Sequence, residues 1–134
     1  MCRVYWEDVI TLKGQEMLYE LLESDKPLYL GLGSDWGRLL RLSETNTDLG
    51  APIPDERVLA EVSFETEEKE NDTICVKGLF PITEERMVSE AGLFDAPTGG
   101  NLLARGIFDT FVLKPRDKFE VTFSFERYPE YAET

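Results

Sequence analysis

The chain predicts a mainly β fold, an antiparallel β-sandwich of about six or seven strands with one N-terminal α-helix. Three observations carry that expectation. Phe119, Val121, Phe123 and Phe125 alternate without a break with Glu120, Thr122, Ser124 and Glu126, the period of a strand with one buried and one wet face. The same period runs through residues 58–65 and 74–80. Helical spacing of apolar residues is confined to residues 11–24, where Gly14, Met17, Leu18, Leu21 and Leu22 share one face.

The helix, about residues 12–24, has Thr11 as its expected N-cap and Pro27 as its stop. Its single apolar stripe suits a helix laid against a sheet; the alternative is a helix that binds a partner. Leu28-Tyr29-Leu30-Gly31-Leu32 follows as a strand entering the turn Gly33-Ser34-Asp35-Trp36-Gly37. Its glycines do not make a dinucleotide fingerprint, because the third comes one residue late and no second βαβ unit follows. Residues 38–57 then lose any clear period and are rich in turn formers, with Pro52 and Pro54 among them. Loops of that length are functional or mobile, so this excursion is a candidate contact arm toward a neighbouring subunit, its conformation expected to be fixed by contacts between subunits.

Residues 58–65 and 74–80 form a hairpin around an acidic tip, Thr66-Glu67-Glu68-Lys69-Glu70-Asn71-Asp72. The tip lacks the D-x-[DN]-x-[DN]-G loop that wraps oxygens around calcium and reads as a solvated turn. A second hairpin joins residues 87–94 to 101–108 through Asp95-Ala96-Pro97-Thr98-Gly99-Gly100, where proline fixes φ and glycine permits positive φ. Glu90 and Arg105 lie on its two strands as an expected structural ion pair. A register with Phe94 across from Asn101 sets Glu90 across from Arg105, whereas one two residues further along sets Arg105 across from Gly92 and leaves a diagonal reach to Glu90. The alternative role for Glu90 is a catalytic acid. Phe111-Val112-Leu113, the alternating strand at 119–125 and a polar tail at 127–134 complete the chain.

Composition narrows the chemistry. At 134 residues the chain is expected to form one domain spanning 1–134. It has no apolar run of the roughly 18 residues that cross a membrane and no secretory-type leader pattern. Twenty-seven acidic against fourteen basic residues give a formal charge of −13, a field that repels phosphate backbones and anionic membrane surfaces. Histidine is absent, which removes the usual general base and every Ser-His-Asp or Cys-His arrangement. Carboxylate pairs such as Glu84/Glu85, Glu90/Asp95 and Asp109/Asp117 invite comparison with glycoside hydrolases, whose mechanism rests on separation and burial. Cys2 and Cys75 follow no metal-ligand spacing and are expected to be free thiols. No catalytic, cofactor or metal site is expected.

The wording Glu90-Ala91-Gly92-Leu93-Phe94-Asp95, followed by Gly99-Gly100-x-Leu102-Leu103-Ala104-Arg105, resembles a phrase that recurs in small structural proteins of tailed-bacteriophage virions, among them tail-fibre, collar-fibre and neck or tail-associated components. The helix ahead of Leu30-Gly31-Leu32-Gly33, the Thr47-Asp48-Leu49-Gly50 stretch with Arg57 soon after, and the closing alternating strand follow in the same order. The chain departs from the family in Tyr5-Trp6, in the Asp35-Trp36 turn and in its 127–134 tail. The resemblance implies a non-enzymatic building block of the virion in the tail, neck, fibre-attachment or baseplate, binding copies of itself as a symmetric homo-oligomer and other virion proteins, with no nucleic acid, membrane or cofactor as partner. The alternatives are a capsid decoration protein or a carbohydrate- or host-receptor-binding module in which Trp36, Tyr128 and Tyr131 stack on the ligand.

Overall fold

Thr11 decides where the helix begins. In the computed structural model, which describes residues 6–53, 57–66 and 73–126, its hydroxyl accepts the Gly14 N–H at 2.9 Å and donates to the Leu102 carbonyl at 2.6 Å. Its own N–H donates to the Leu103 carbonyl at 3.0 Å. One buried threonine thus caps α1 (Leu12–Glu23) and fastens it to the sheet. Gly14 lets the helix come this close, since a Cβ there would stand 1.9 Å from the Leu103 carbonyl oxygen. Leu18 and Leu22 on the same face are buried.

The strands are β1 (Trp6–Ile10), β2 (Tyr29–Gly33), β3 (Val58–Leu59), β4 (Glu61–Glu65), β5 (Thr73–Pro81), β6 (Arg86–Phe94), β7 (Leu102–Leu113) and β8 (Lys118–Glu126). They make two antiparallel sheets, one ordered β1-β7-β6-β2-β3 and the other β4-β5-β8. The protein is an antiparallel β-sandwich with an N-terminal helix. Between the sheets, Leu30, Leu32, Ala91, Leu93, Ala104 and Phe108 meet Ile74, Val76, Phe80, Val121, Phe123 and Phe125 in one apolar core, the alternation of each strand sending these side chains to a common face.

Three details differ from the expected strands. β1 was not foreseen, because Glu7-Asp8 interrupts its alternation; it is held as an edge strand by Trp6, which stacks on Phe108 with centroids 5.5 Å apart and meets Phe123 edge-on at 5.2 Å. The strand expected at 58–65 is two strands in different sheets, parted at Ala60, whose N–H donates to the Leu28 carbonyl at 2.8 Å. Residues 102–113 run as one strand, where a break after Phe108 was expected. Cys2, Tyr128, Tyr131 and residues 67–72 of the acidic tip lie outside the described residues. Cys75 is a free, buried cysteine; burial, followed by a hydrogen bond with Glu65, pushes its thiol pKa up.

Residues 38–57, expected as a candidate contact arm toward a neighbouring subunit, have anchors within their own domain: the described part lies on the outer face of the larger sheet, where Leu49 packs with Phe94 and Leu102 in a second apolar cluster. Arg57 closes one end, its guanidinium 3.5 Å above the Phe94 ring and its Nη1 donating to the Ala96 and Gly99 carbonyls at 2.8 Å each. The physical reason is a set of buried charges beneath the segment.

Candidate functional site

β6 and β7 bring Glu90 and Arg105 together. Arg105 pairs with Gly92, and Glu90 with Ile107, so the chain takes the second of the two expected registers and the guanidinium reaches Glu90 diagonally. A register shift between Leu93 and Phe94 sets this alignment. Arg105 Nε donates to Glu90 Oε1 at 3.1 Å, and both side chains are fully buried. Glycine at position 33, the partner of Glu90 on β2, leaves the space that the carboxylate fills, since a Cβ there would lie 2.4 Å from Oε2.

Two residues that the sequence did not single out complete the cluster. Asp35 Oδ2 accepts Arg105 Nη2 at 3.3 Å, and Asn46 Oδ1 accepts Arg105 Nη1 at 2.9 Å. Arg105 Nη1 also donates to the Leu40 carbonyl at 2.8 Å. Two carboxylates share one guanidinium, and backbone N–H groups balance the surplus negative charge. Glu90 Oε1 accepts from Gly50 N at 2.9 Å; Oε2 accepts from Ala51 N at 2.7 Å and Asp35 N at 3.1 Å. Asp35 Oδ1 accepts the N–H groups of Gly37, Arg38 and Leu39, and Oδ2 that of Leu40, all between 2.8 and 3.1 Å.

Burial acts to raise the Asp35 pKa, but the N–H groups of Leu39, Leu40 and Arg38, with the charge of Arg105, outweigh it and hold the carboxyl below its ordinary value. Among the described residues, no buried side-chain nitrogen or oxygen lacks a hydrogen-bond partner. Such an arrangement fixes backbone. It pins the 34–51 loop to two strands and hangs its tip from one carboxylate, leaving Trp36 48% and Leu39 77% exposed. Trp36 borders a shallow cleft with Glu7, Ile107 and Asp109.

The other carboxylates considered for catalysis go elsewhere. Glu84 and Glu85 pair with Arg86 at 3.2 Å and Lys114 at 3.6 Å on the surface. Asp95 accepts the Asn101 N–H at 2.7 Å and its Nδ2 at 2.8 Å, closing the central turn. Asp117 accepts the Lys114 N–H at 2.8 Å, while Asp109 lines the Trp36 cleft. Asp35 and Asn46 escaped notice because turn-forming residues are common in loops.

Among the described residues no three His, Cys, Asp or Glu side chains are placed to hold a metal ion, and no helix is long and apolar enough to cross a membrane. Comparison with protein-family models, with curated proteins and with solved structures found no match.

Proposed function

We propose that the chain is a non-enzymatic structural protein of a tailed-bacteriophage virion, working through protein–protein assembly. The phage setting is supported by the resemblance of residues 90–105 to virion proteins. The observation that carries the assembly reading is the use made of the buried cluster: both oxygens of Glu90 are engaged by the protein's own donors, and what they secure is a loop with Trp36 and Leu39 exposed. A catalytic acid needs a carboxyl within reach of substrate. A docking surface needs apolar side chains presented without further ordering cost.

A mass-spectrometric inventory of purified particles tests the proposal. The expected result is this chain in copies that match a symmetric assembly; its absence from intact particles overturns the reading. A carbohydrate- or receptor-binding module is the second reading, favoured by Trp36 beside Glu7 and Asp109, an aromatic platform next to hydrogen-bond acceptors. Glycan binding that is lost in Trp36→Ala would favour it over assembly.

A further inference from the structure

We propose that the free edge of β8 pairs with β8 of a second copy of this chain, antiparallel and centred on Thr122. The inference rests on the assembly reading and deepens it by naming a partner and an edge. β8 is an end strand, bonded along its nine residues to β5 on one side and to no strand on the other among the described residues. A long open edge is a template for another strand. Its outward face carries Lys118, Glu120, Thr122, Ser124 and Glu126, all exposed, and neither Lys118 nor Glu126 has an ion-pair partner among the described residues.

A twofold axis through the edge fixes which residues meet, because each residue and its counterpart lie equally far from the axis. Centred on Thr122, the axis overlaps the whole strand and sets Lys118 of each copy across from Glu126 of the other, with Glu120 across from Ser124. Moving the centre to Phe123 sets Glu120 against Glu126, and moving it to Glu120 sets that residue against itself. Opposite charges across a strand pair attract and like charges repel, and the register centred on Thr122 is the one that joins overlap of the whole strand to two Lys118–Glu126 pairs.

The other edges refuse the same pairing. Centring β4 on Ser63 opposes Glu61 and Glu65, centring β1 on Asp8 opposes that residue to itself, and β3 has two residues. Beside β8, an apolar cleft lined by Trp6, Phe108, Phe111 and Phe119 opens next to Glu120 and Thr122, surface that a second copy would cover. At the strand's end Tyr19 Oη donates to the Glu126 carbonyl at 2.6 Å, and that oxygen keeps a second lone pair for the partner.

Sedimentation equilibrium of the full chain, at about 0.15 M salt so that the mutual repulsion of two acidic chains is screened, tests the register. The variants are Lys118→Glu, Glu126→Lys and the double exchange, with melting curves to show that each is folded. We expect a wild-type dimer, dissociation about tenfold or more easier in each single variant, and recovery in the double exchange. A wild-type chain that stays monomeric, single variants that dimerise as well as wild type, or a double exchange no better than the singles would each overturn the proposal. A dimer that ignores these variants but falls apart in Trp36→Asp would move self-association to the loop, sinking the β8 register while the assembly reading stands. A β8 dimer from a chain absent from particles would do the reverse.

Discussion

Glu90 has two oxygens and four donors within hydrogen-bond reach, counting the Arg105 guanidinium for one and Asp35 N, Gly50 N and Ala51 N for three, so that each oxygen accepts from two sides. Glutamine has the right size and the wrong inventory: whichever way its amide is turned, an NH2 group faces two N–H donors. Removing one partner of a buried pair costs about 3–5 kcal/mol because the other charge is left unpaired. Glu90→Gln and Arg105→Met are each expected to lose about that much in urea unfolding, and the double variant less than the sum. Independent, additive losses would show that the pair does not act as a unit. Asp35 makes the same network sensitive to acid. Its folded pKa lies below the ordinary value, so its contribution is present above about pH 3.9 and is lost as the pH falls through the lower folded value. Urea midpoints measured from pH 5 down to pH 2 are expected to fall less steeply in Asp35→Asn than in wild type; parallel slopes would contradict this. At this scale the sequence revealed the ion pair, because two residues of opposite charge sat at matched distances from one turn. Asp35 and Asn46 stayed hidden, because Arg105, the partner that joins them to the pair, lies 70 and 59 residues away and is brought near only by tertiary folding.

At the scale of elements, the helix and the paired strands were legible because period and burial agree. Phe123 and Phe125 show it: both point into the core, stacked with centroids 6.0 Å apart. The edges were not. Trp6 belongs to a strand whose identity is set by a neighbour it covers, and Ala60 marks a change of sheet that leaves the alternation of residues 58–65 nearly intact. Gly14 carries the same lesson in the helix. Propensity alone favours alanine there by about 1 kcal/mol, yet an added methyl would run into the Leu103 carbonyl oxygen, and overpacking a tight contact costs about 1–3 kcal/mol. Gly14→Ala is therefore expected to lower the melting temperature. A rise would mean that α1 stands further from β7 than the Thr11 contacts imply.

On the scale of the whole molecule, the domain has three layers: the smaller sheet, the larger sheet, and the loop that covers the outer face of the larger one. The long, turn-rich stretch from residue 38 onward pointed to a contact arm, since nothing local in it announces what it packs on. Its anchors come from β6 and β7, more than 35 residues away from Gly50 and Ala51 in the case of Glu90. The isolated chain is accordingly expected to protect the amides of Leu40, Gly50 and Ala51 from hydrogen exchange as well as an assembled one does. Exchange at the rate of an open coil in the monomer would restore the view that neighbouring subunits order the loop. One further consequence follows from hanging the loop tip on Asp35. Arg38 and Arg41 are exposed and offer trypsin two cleavage points, but a protease needs a stretch of backbone free to enter its cleft, and here the carboxylate holds the N–H groups on both sides of Arg38. Nicking at Arg38 must wait until the buried charges part, so the rate of cutting at that bond in the native chain becomes a clock for the opening of its interior.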